Sequence, residues 1–332
     1  MKRLLCLFGL TAFLISGIFS APAGAETARS YAEFQSQQHH ALSIMRTIDP
    51  LGRPVDDAAP YVRVPVQIRG LDATGSLAWE ASDPMGMMNN LGLSDDGSVA
   101  AIDIDLNNQR LQVLDGESGS VSYEIVSERS GWESVAVAGN GNHIAYATGS
   151  LLYLLSPATS TPIWTATSGS CIRVAISADG QHILGLEGPL TGTPDSVHVW
   201  SYSAASSTPE WVREFPSTEA GYFNGAKYSA DGSTLVITGR NHVWIVNPVT
   251  GAPIDDFAAF NTEKPAAVSG NGHVITYGSL NSGKLYVYVW NSATQDYTLF
   301  WTYTFTGGTS NWCTATGVSE DGETIGAGTL QF

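Results

Sequence analysis

The chain predicts an all-β fold of repeated four-stranded antiparallel sheets, and three observations carry that prediction. Six stretches share one pattern of apolar strand, Ser-x-Asp-Gly-like turn and second apolar strand: LGLSDDGSVAAI (91–102), VAVAGNGNHIAYA (135–147), VAISADGQHILGL (174–186), AKYSADGSTLVIT (226–238), AAVSGNGHVITYG (266–278) and TGVSEDGETIGAG (316–328). Their turns start at Ser94, Ala138, Ser177, Ser229, Ser269 and Ser319, 39 to 52 residues apart, a spacing that suits one four-stranded unit. Each unit has an apolar face that a single small sheet cannot bury, so the units must stack radially about an axis. The architecture so predicted is a β-propeller.

The first 25 residues read as a secretory signal: Lys2 and Arg3, then the apolar run LLCLFGLTAFLISGIF, then Ala23-Gly24-Ala25 as a cleavage site before Glu26. Cys6 lies within the apolar run and leaves with it. The expected location is periplasmic or extracellular. No later segment has the ~20 continuous apolar residues of a membrane span. Residues 26–61 differ from the rest. Tyr31, Phe34, Leu42 and Met45 fall near helical spacing, and Pro50, Pro54 and Pro60 then interrupt any regular element, so an irregular or helical arm and linker is expected. His39-His40 in that arm has no third metal ligand nearby and reads as a polar face.

The repeats occupy residues 62–332. After each Ser-x-Asp-Gly hairpin comes a second half-motif of apolar strand, short turn and aromatic-bearing strand, clearest in LYLLSPATSTPIW (152–164), VWSYSAASSTPEW (199–211) and VWNSATQDYTLFW (289–301). Trp164, Trp211 and Trp301 are matched by Tyr123 in the first unit, and Asp255 holds that place in the fourth. Large flat side chains at one repeated place predict packing between neighbouring sheets. Residues 62–81 contain only the second half-motif, with Trp79 in the aromatic place, and 313–332 only the first. If the two halves meet they make one sheet, giving six blades with the last closed by both ends of the chain; closure removes exposed strand edges. The alternative is a truncated part of a seven- or eight-bladed ring.

Removing Lys2 and Arg3 leaves 13 basic residues against 31 acidic ones. A surface so acidic repels nucleic-acid phosphates and anionic lipid heads, so both are expected to be poor partners and no nucleic acid is expected. Cys171 and Cys313 each lie six residues before their turn serine and so hold equivalent places in the third and sixth units, on opposite sides of a six-unit ring. A disulfide needs Cα atoms within about 7 Å, so two free thiols are expected.

The alternation of V-x-x-S-x-D-G with V-x-V-W, best seen in residues 174–200 and 222–244, resembles WD-repeat and pyrroloquinoline-quinone-type repeat propellers over about residues 62–332. The resemblance implies architecture; propellers of this kind serve as scaffolds and as enzymes alike. The quinone dehydrogenases among them carry a vicinal Cys-Cys pair that this chain lacks, so no cofactor is expected. SADGST (229–234) falls one residue short of a sialidase Asp-box, and Arg173, Arg213 and Arg240 occupy different places in their repeats, so no carboxylate-gripping arginine triad forms. The turn residues Asp96, Asp179, Asp231 and Asp321, replaced by Asn140 and Asn271 elsewhere, are expected to bond back to turn amides. Asp103, Asp105 and Asn107 have the alternation of a calcium loop but lack its later Gly and Glu; a hairpin between the second and third strands of the first unit is the plainer reading.

The place six residues before each turn should begin the innermost strand at one mouth of the channel. It is held by Met88, Trp132, Cys171, Phe223, Glu263 and Cys313, with Glu133, Tyr222, Asn224, Lys264 and Trp312 sharing the rim. Aromatics among a few polar groups at a concavity suit a ligand or peptide; the plainer alternative is that they plug the channel. The expectation is an exported, monomeric, non-catalytic module binding a protein, peptide or glycan at this mouth. The rival class is a hydrolase or lactonase using rim carboxylates and a histidine. His143, His182 and His273 hold matching places in three units and so should stand apart around the ring.

Overall fold

The computed structural model describes residues 66–71, 77–83, 87–105, 109–126, 134–188, 196–220, 223–262, 264–280, 282–305 and 311–331. The expected signal (1–25) and arm (26–61) lie outside them. No helix among the described residues is long and apolar enough to cross a membrane.

β1 (Val66–Leu71) and β2 (Leu77–Asp83) pair as a two-stranded sheet. β3 (Met87–Leu93), β4 (Val99–Asp105), β5 (Arg110–Asp115) and β6 (Val121–Val126) form the first four-stranded antiparallel sheet, in that order. β7 (Val135–Val137), β8 (Ile144–Ala147), β9 (Gly149–Ser156), β10 (Thr159–Ile176), β11 (His182–Glu187), β12 (Ser196–Ser203) and β13 (Trp211–Pro216) follow as one seven-stranded sheet. β10 makes it continuous. Its first part pairs with β9 as the outer strand of the second unit, and its last part pairs with β11 as the innermost strand of the third. A one-turn helix, α1 (Ser217–Ala220), leads to the fourth unit, β14 (Phe223–Tyr228), β15 (Leu235–Gly239), β16 (His242–Val246) and β17 (Pro253–Ala258). The fifth is β18 (Ala267–Val268), β19 (Val274–Ser279), β20 (Lys284–Asn291) and β21 (Asp296–Thr304), and β22 (Asn311–Val318) with β23 (Ile325–Gln331) forms a final two-stranded sheet. The two half-motifs at the ends of the repeat region thus stand as separate two-stranded sheets.

The turn between the first and second strands of each unit shows why the repeat reads as it does. The Ser229 hydroxyl donates to Asp231 Oδ1 at 2.7 Å and accepts the Thr234 N–H at 3.0 Å, while Asp231 Oδ1 also accepts the Ser233 N–H at 2.9 Å. The same three bonds recur around Ser94, Ser177, Ser269 and Ser319. The glycine that follows adopts φ between 70 and 78° in all six turns, a conformation that costs other residues more.

The core lies between sheets. Val99, Ala101, Leu111 and Val113 of the first sheet meet Val135, Ile144, Tyr146 and Leu155 of the second. The third and fourth join through Leu186, Val199 and Phe215 against Phe223, Ile237 and Trp244. The fourth and fifth join through Val236, Val243 and Ile245 against Ile275, Tyr277 and Tyr286. Cys313 of β22 packs with Leu285, Val287 and Phe305 of the fifth. The other face of the first sheet is buried as well, through Leu91, Ala100, Ile102, Ile104 and Leu114. Each unit therefore buries the face it cannot cover alone, and the outer strands β6, β13 and β17 alternate exposed and covered residues.

Candidate binding site

The two ends of the axis differ. At the turn end, adjacent units bond directly: Asp95 N–H to the Gly139 carbonyl at 2.9 Å, Asn140 N–H to Ala178 at 2.9 Å, Asp231 N–H to Gly270 at 2.9 Å and Gly270 N–H to Glu320 at 2.8 Å. Small residues make this approach possible; a Cβ on Gly139 would stand 3.1 Å from the Ala178 methyl and collide with the Asp95 carboxylate. The Asp95 carboxyl is held above its ordinary value by partial burial, then by the charge of Glu320, then by that of Asp96. This end is drawn together by backbone bonds and is acidic.

At the opposite end four of the innermost strands carry a β-bulge at one repeated place: between Met88 and Asn90, Cys171 and Arg173, Phe223 and Gly225, and Cys313 and Ala315. In these four units the place counted six residues before the turn is the first residue of that bulge. A bulge bends its strand and re-aims the side chain. Cys171 and Phe223 are consequently fully buried and Cys313 almost so. The Phe223 ring meets Phe215 edge-on at 5.5 Å and Trp244 at 6.1 Å. Neither cysteine is in a disulfide, and each thiol points at the carbonyl two residues on, Cys171 Sγ 3.4 Å from Arg173 O and Cys313 Sγ 3.9 Å from Ala315 O. Burial pushes the Cys313 thiol up to about 12. These three residues belong to the interfaces between sheets and offer no surface to a ligand.

Asn224 is buried too, its amide donating to the Thr262 carbonyl at 2.9 Å and hydroxyl at 2.7 Å. Lys264 and Trp312 remain half-exposed at this end. Trp132, Glu133, Tyr222 and Glu263 lie outside the described residues, and of Met88 only the backbone is described.

Asp103 is fully buried, where its carboxylate accepts the Ser134 hydroxyl and, at 3.3 Å, the Tyr146 hydroxyl. It staples the first sheet to the second, and no solvent-facing oxygen remains for calcium; the Asp105 side chain and Asn107 are outside the described residues. β4 and β5 pair as the hairpin reading expected. Among the described residues no three His, Cys, Asp or Glu side chains are placed to hold a metal ion.

His143 directly precedes β8 and His182 opens β11, the latter 3.7 Å from Glu210. A different histidine gathers carboxylates. His198 Nδ1 lies 2.6 Å from Glu187 Oε2, which also accepts the His198 backbone N–H at 2.9 Å, and Nε2 lies 3.3 Å from Glu214 Oε1. Its ring stacks on Trp200 at 5.8 Å. Burial opposes its protonation, but the hydrogen bonds and charges of Glu187 and Glu214 outweigh that and hold it above its ordinary value. His242 repeats the arrangement, 2.7 Å from Asp256 Oδ2 and stacked on Trp244 at 4.8 Å. The signal for both is His-x-Trp at 198–200 and 242–244, a spacing that puts both rings on one face of a strand.

No protein-family model matches the chain, and no curated protein does. Solved structures do. The chain is similar to one in the crystal structure of the mitotic checkpoint complex, at 14% identity and TM-score 0.58 over 81% of this chain and 86% of that one. It is similar to Kuenenia stuttgartiensis hydrazine synthase at 13% identity and TM-score 0.61, over 80% and 89%. The C-terminal WD40 domain of Sif2 matches at 10% identity and TM-score 0.60, over 80% and 75%. At such identities the likeness is one of fold, and by fold this chain is a β-propeller repeat protein.

Proposed function

We propose that the chain is an exported interaction module that binds a protein or peptide partner at the end of the axis opposite the turn ring. The WD40-type fold supports a role in protein interaction, and two of the similar structures are a multi-protein complex and a WD40 domain. The observation that carries the choice of end is the asymmetry of the axis. Backbone bonds tie four pairs of neighbouring turns together at one end, while Lys264 and Trp312 stay half-exposed at the other. Tryptophan is enriched among the residues that anchor protein interfaces. The test is a photo-reactive side chain at Trp312 in the full-length protein, with one at Glu320 as control. A partner captured from 312, not from 320, and lost in Lys264→Ala supports the reading; equal capture from both, or none from 312, rejects it. Export is checked separately, by an intact mass beginning at Glu26.

A second reading, a hydrolase or lactonase, is favoured by one observation only, the His198–Glu187 pair, a histidine–carboxylate arrangement suited to general acid–base work. His198→Gln would abolish ester or lactone cleavage under that reading and leave partner capture untouched under the first.

A further inference from the structure

The loops of the fourth and fifth sheets meet at the end opposite the turns, where backbone bonds sew them together. The Thr262 N–H donates to the Arg240 carbonyl at 2.8 Å, Ala259 N–H to Asn241 at 2.8 Å and Leu280 N–H to Asn261 at 3.0 Å. Arg240 Nε donates to Asn261 Oδ1 at 2.6 Å. Asn261 sits at φ 50°, a left-handed conformation that asparagine adopts more readily than most side chains. Beside it Phe260 is 55% exposed, yet its ring is held: it stacks on Tyr286 at 5.5 Å, and Tyr286 stacks on the buried Tyr277 at 4.8 Å. Lys284, paired with Ser279, lies two residues before Tyr286 and so on the same face of β20.

The charge of this sector is opposite to that of the chain. The joined segments 239–242, 259–265 and 279–284 hold Arg240, Lys264 and Lys284 against one acid, Glu263, which is outside the described residues. Arg240 is exposed, and Lys264 and Lys284 are half-exposed. The corresponding segments of the third sheet, 187–196 and 216–222, hold three acids and no lysine or arginine.

We infer that this sector docks an acidic peptide segment bearing an apolar side chain, with Phe260 as the anchor and Arg240, Lys264 and Lys284 as its charged rim. The inference rests on the reading above that a protein partner binds this end of the axis, and it names the chemistry of that partner. A ring already held by its neighbours loses little freedom when a ligand covers it. Cations around such an anchor steer carboxylates to it and reject basic segments. The net charge of the chain opposes an extended polyanion, but a short segment within a Debye length of about 10 Å responds to the local cations.

The test is fluorescence anisotropy of the full-length protein with a short labelled peptide of glutamates flanking one phenylalanine. The same peptide with lysines for glutamates, and a sulfated oligosaccharide, are the comparisons. The glutamate peptide should bind and the lysine peptide should not, and added salt should weaken the binding. Phe260→Ala and Arg240→Gln should each weaken it by about tenfold. Lys227→Gln, which removes an equal charge from β14 outside the sector, should leave it unchanged. Lys284→Gln carries the test if either of the first two variants does not fold. No binding of the glutamate peptide, equal binding of both peptides, an affinity unmoved by Phe260→Ala, or tighter binding of the oligosaccharide overturns the inference. Partner capture from Trp312 that persists in Phe260→Ala rejects this sector and keeps the protein-partner reading. Peptide binding with the expected pattern, but no capture from 312, keeps this sector and rejects the site at Trp312.

Discussion

Asp95 in the first of the repeated turns and Glu320 in the last lie near enough for their charges to interact. Burial and both neighbouring acids raise the Asp95 carboxyl, so the fold favours its protonated form. The contribution of Asp95 is favourable below the unfolded carboxylate value of about 4 and is lost as pH rises through the higher folded value. Asp95→Asn should therefore raise the Tm at pH 7 and leave it unchanged at pH 3. Glu320→Gln should do the same, and the two gains should be less than additive in thermal melts.

The turn serines are structural keystones of another kind. Ser229 is buried and makes two hydrogen bonds that alanine cannot make. Ser229→Ala should lower stability by about 1–2 kcal/mol in urea unfolding. Asp231→Asn should lower it far less at pH 7, because Asn140 and Asn271 already accept the equivalent turn amide at 3.0 Å.

Acid should unfold the protein partly through these same turns. Hydrogen bonds from Ser98 and Ser94 hold Asp96 below its ordinary value, and bonds from Ser319 and Glu323 do so for Asp321. In Asp179 and Asp231 burial works the other way, and the turn bonds still prevail. A lowered carboxylate contributes stability that is present above about pH 4 and lost as pH falls through the folded value. The acid limb of a Tm–pH curve should flatten as these aspartates are replaced by asparagine.

His198 has the opposite dependence. Its raised value means that the Glu187 and Glu214 contacts stabilise in full below about pH 6.5 and fade as pH rises through the folded value. The Tm gap between the unaltered protein and His198→Gln should be wider at pH 5.5 than at pH 9. Added salt should narrow it, because Glu214 is largely exposed.

Cys171 and Cys313 should resist a thiol reagent at pH 8 until the protein unfolds, and then both should react. Gly278 lies so tightly against Cys313 that an added Cβ would fall 2.6 Å from its sulfur and closer still to its carbonyl. Gly278→Ala should cost about 1–3 kcal/mol in urea unfolding, and the Cys313 thiol should react sooner in that variant.

The turns were legible in the sequence because their chemistry is local: a hydroxyl, an acid or amide and a glycine within four residues define each one. The tryptophans were legible as packing residues for a similar reason, although nothing in the sequence shows that Trp164 and Trp211 also donate across to the next sheet. The channel mouth was not legible. Counting six residues back from each turn assumes a straight strand, whereas the bulges at Cys171, Phe223 and Cys313 arise from pairing with the second strand and turn those side chains into the interfaces. His198 was visible only as half of a His-x-Trp pair. Glu214 reaches it through the register of β12 with β13, and Glu187 comes from β11 on the other side.

β10 passes without a break from the outer edge of the second unit to the axis of the third. Elsewhere the chain has joints, as at α1 between the third and fourth units. Here a single strand spans both units. A pull on the rim of the second unit is transmitted along one strand to the centre of the third, so neither can swing or peel away by itself. Under force, these two units should give way together as a single event of double length.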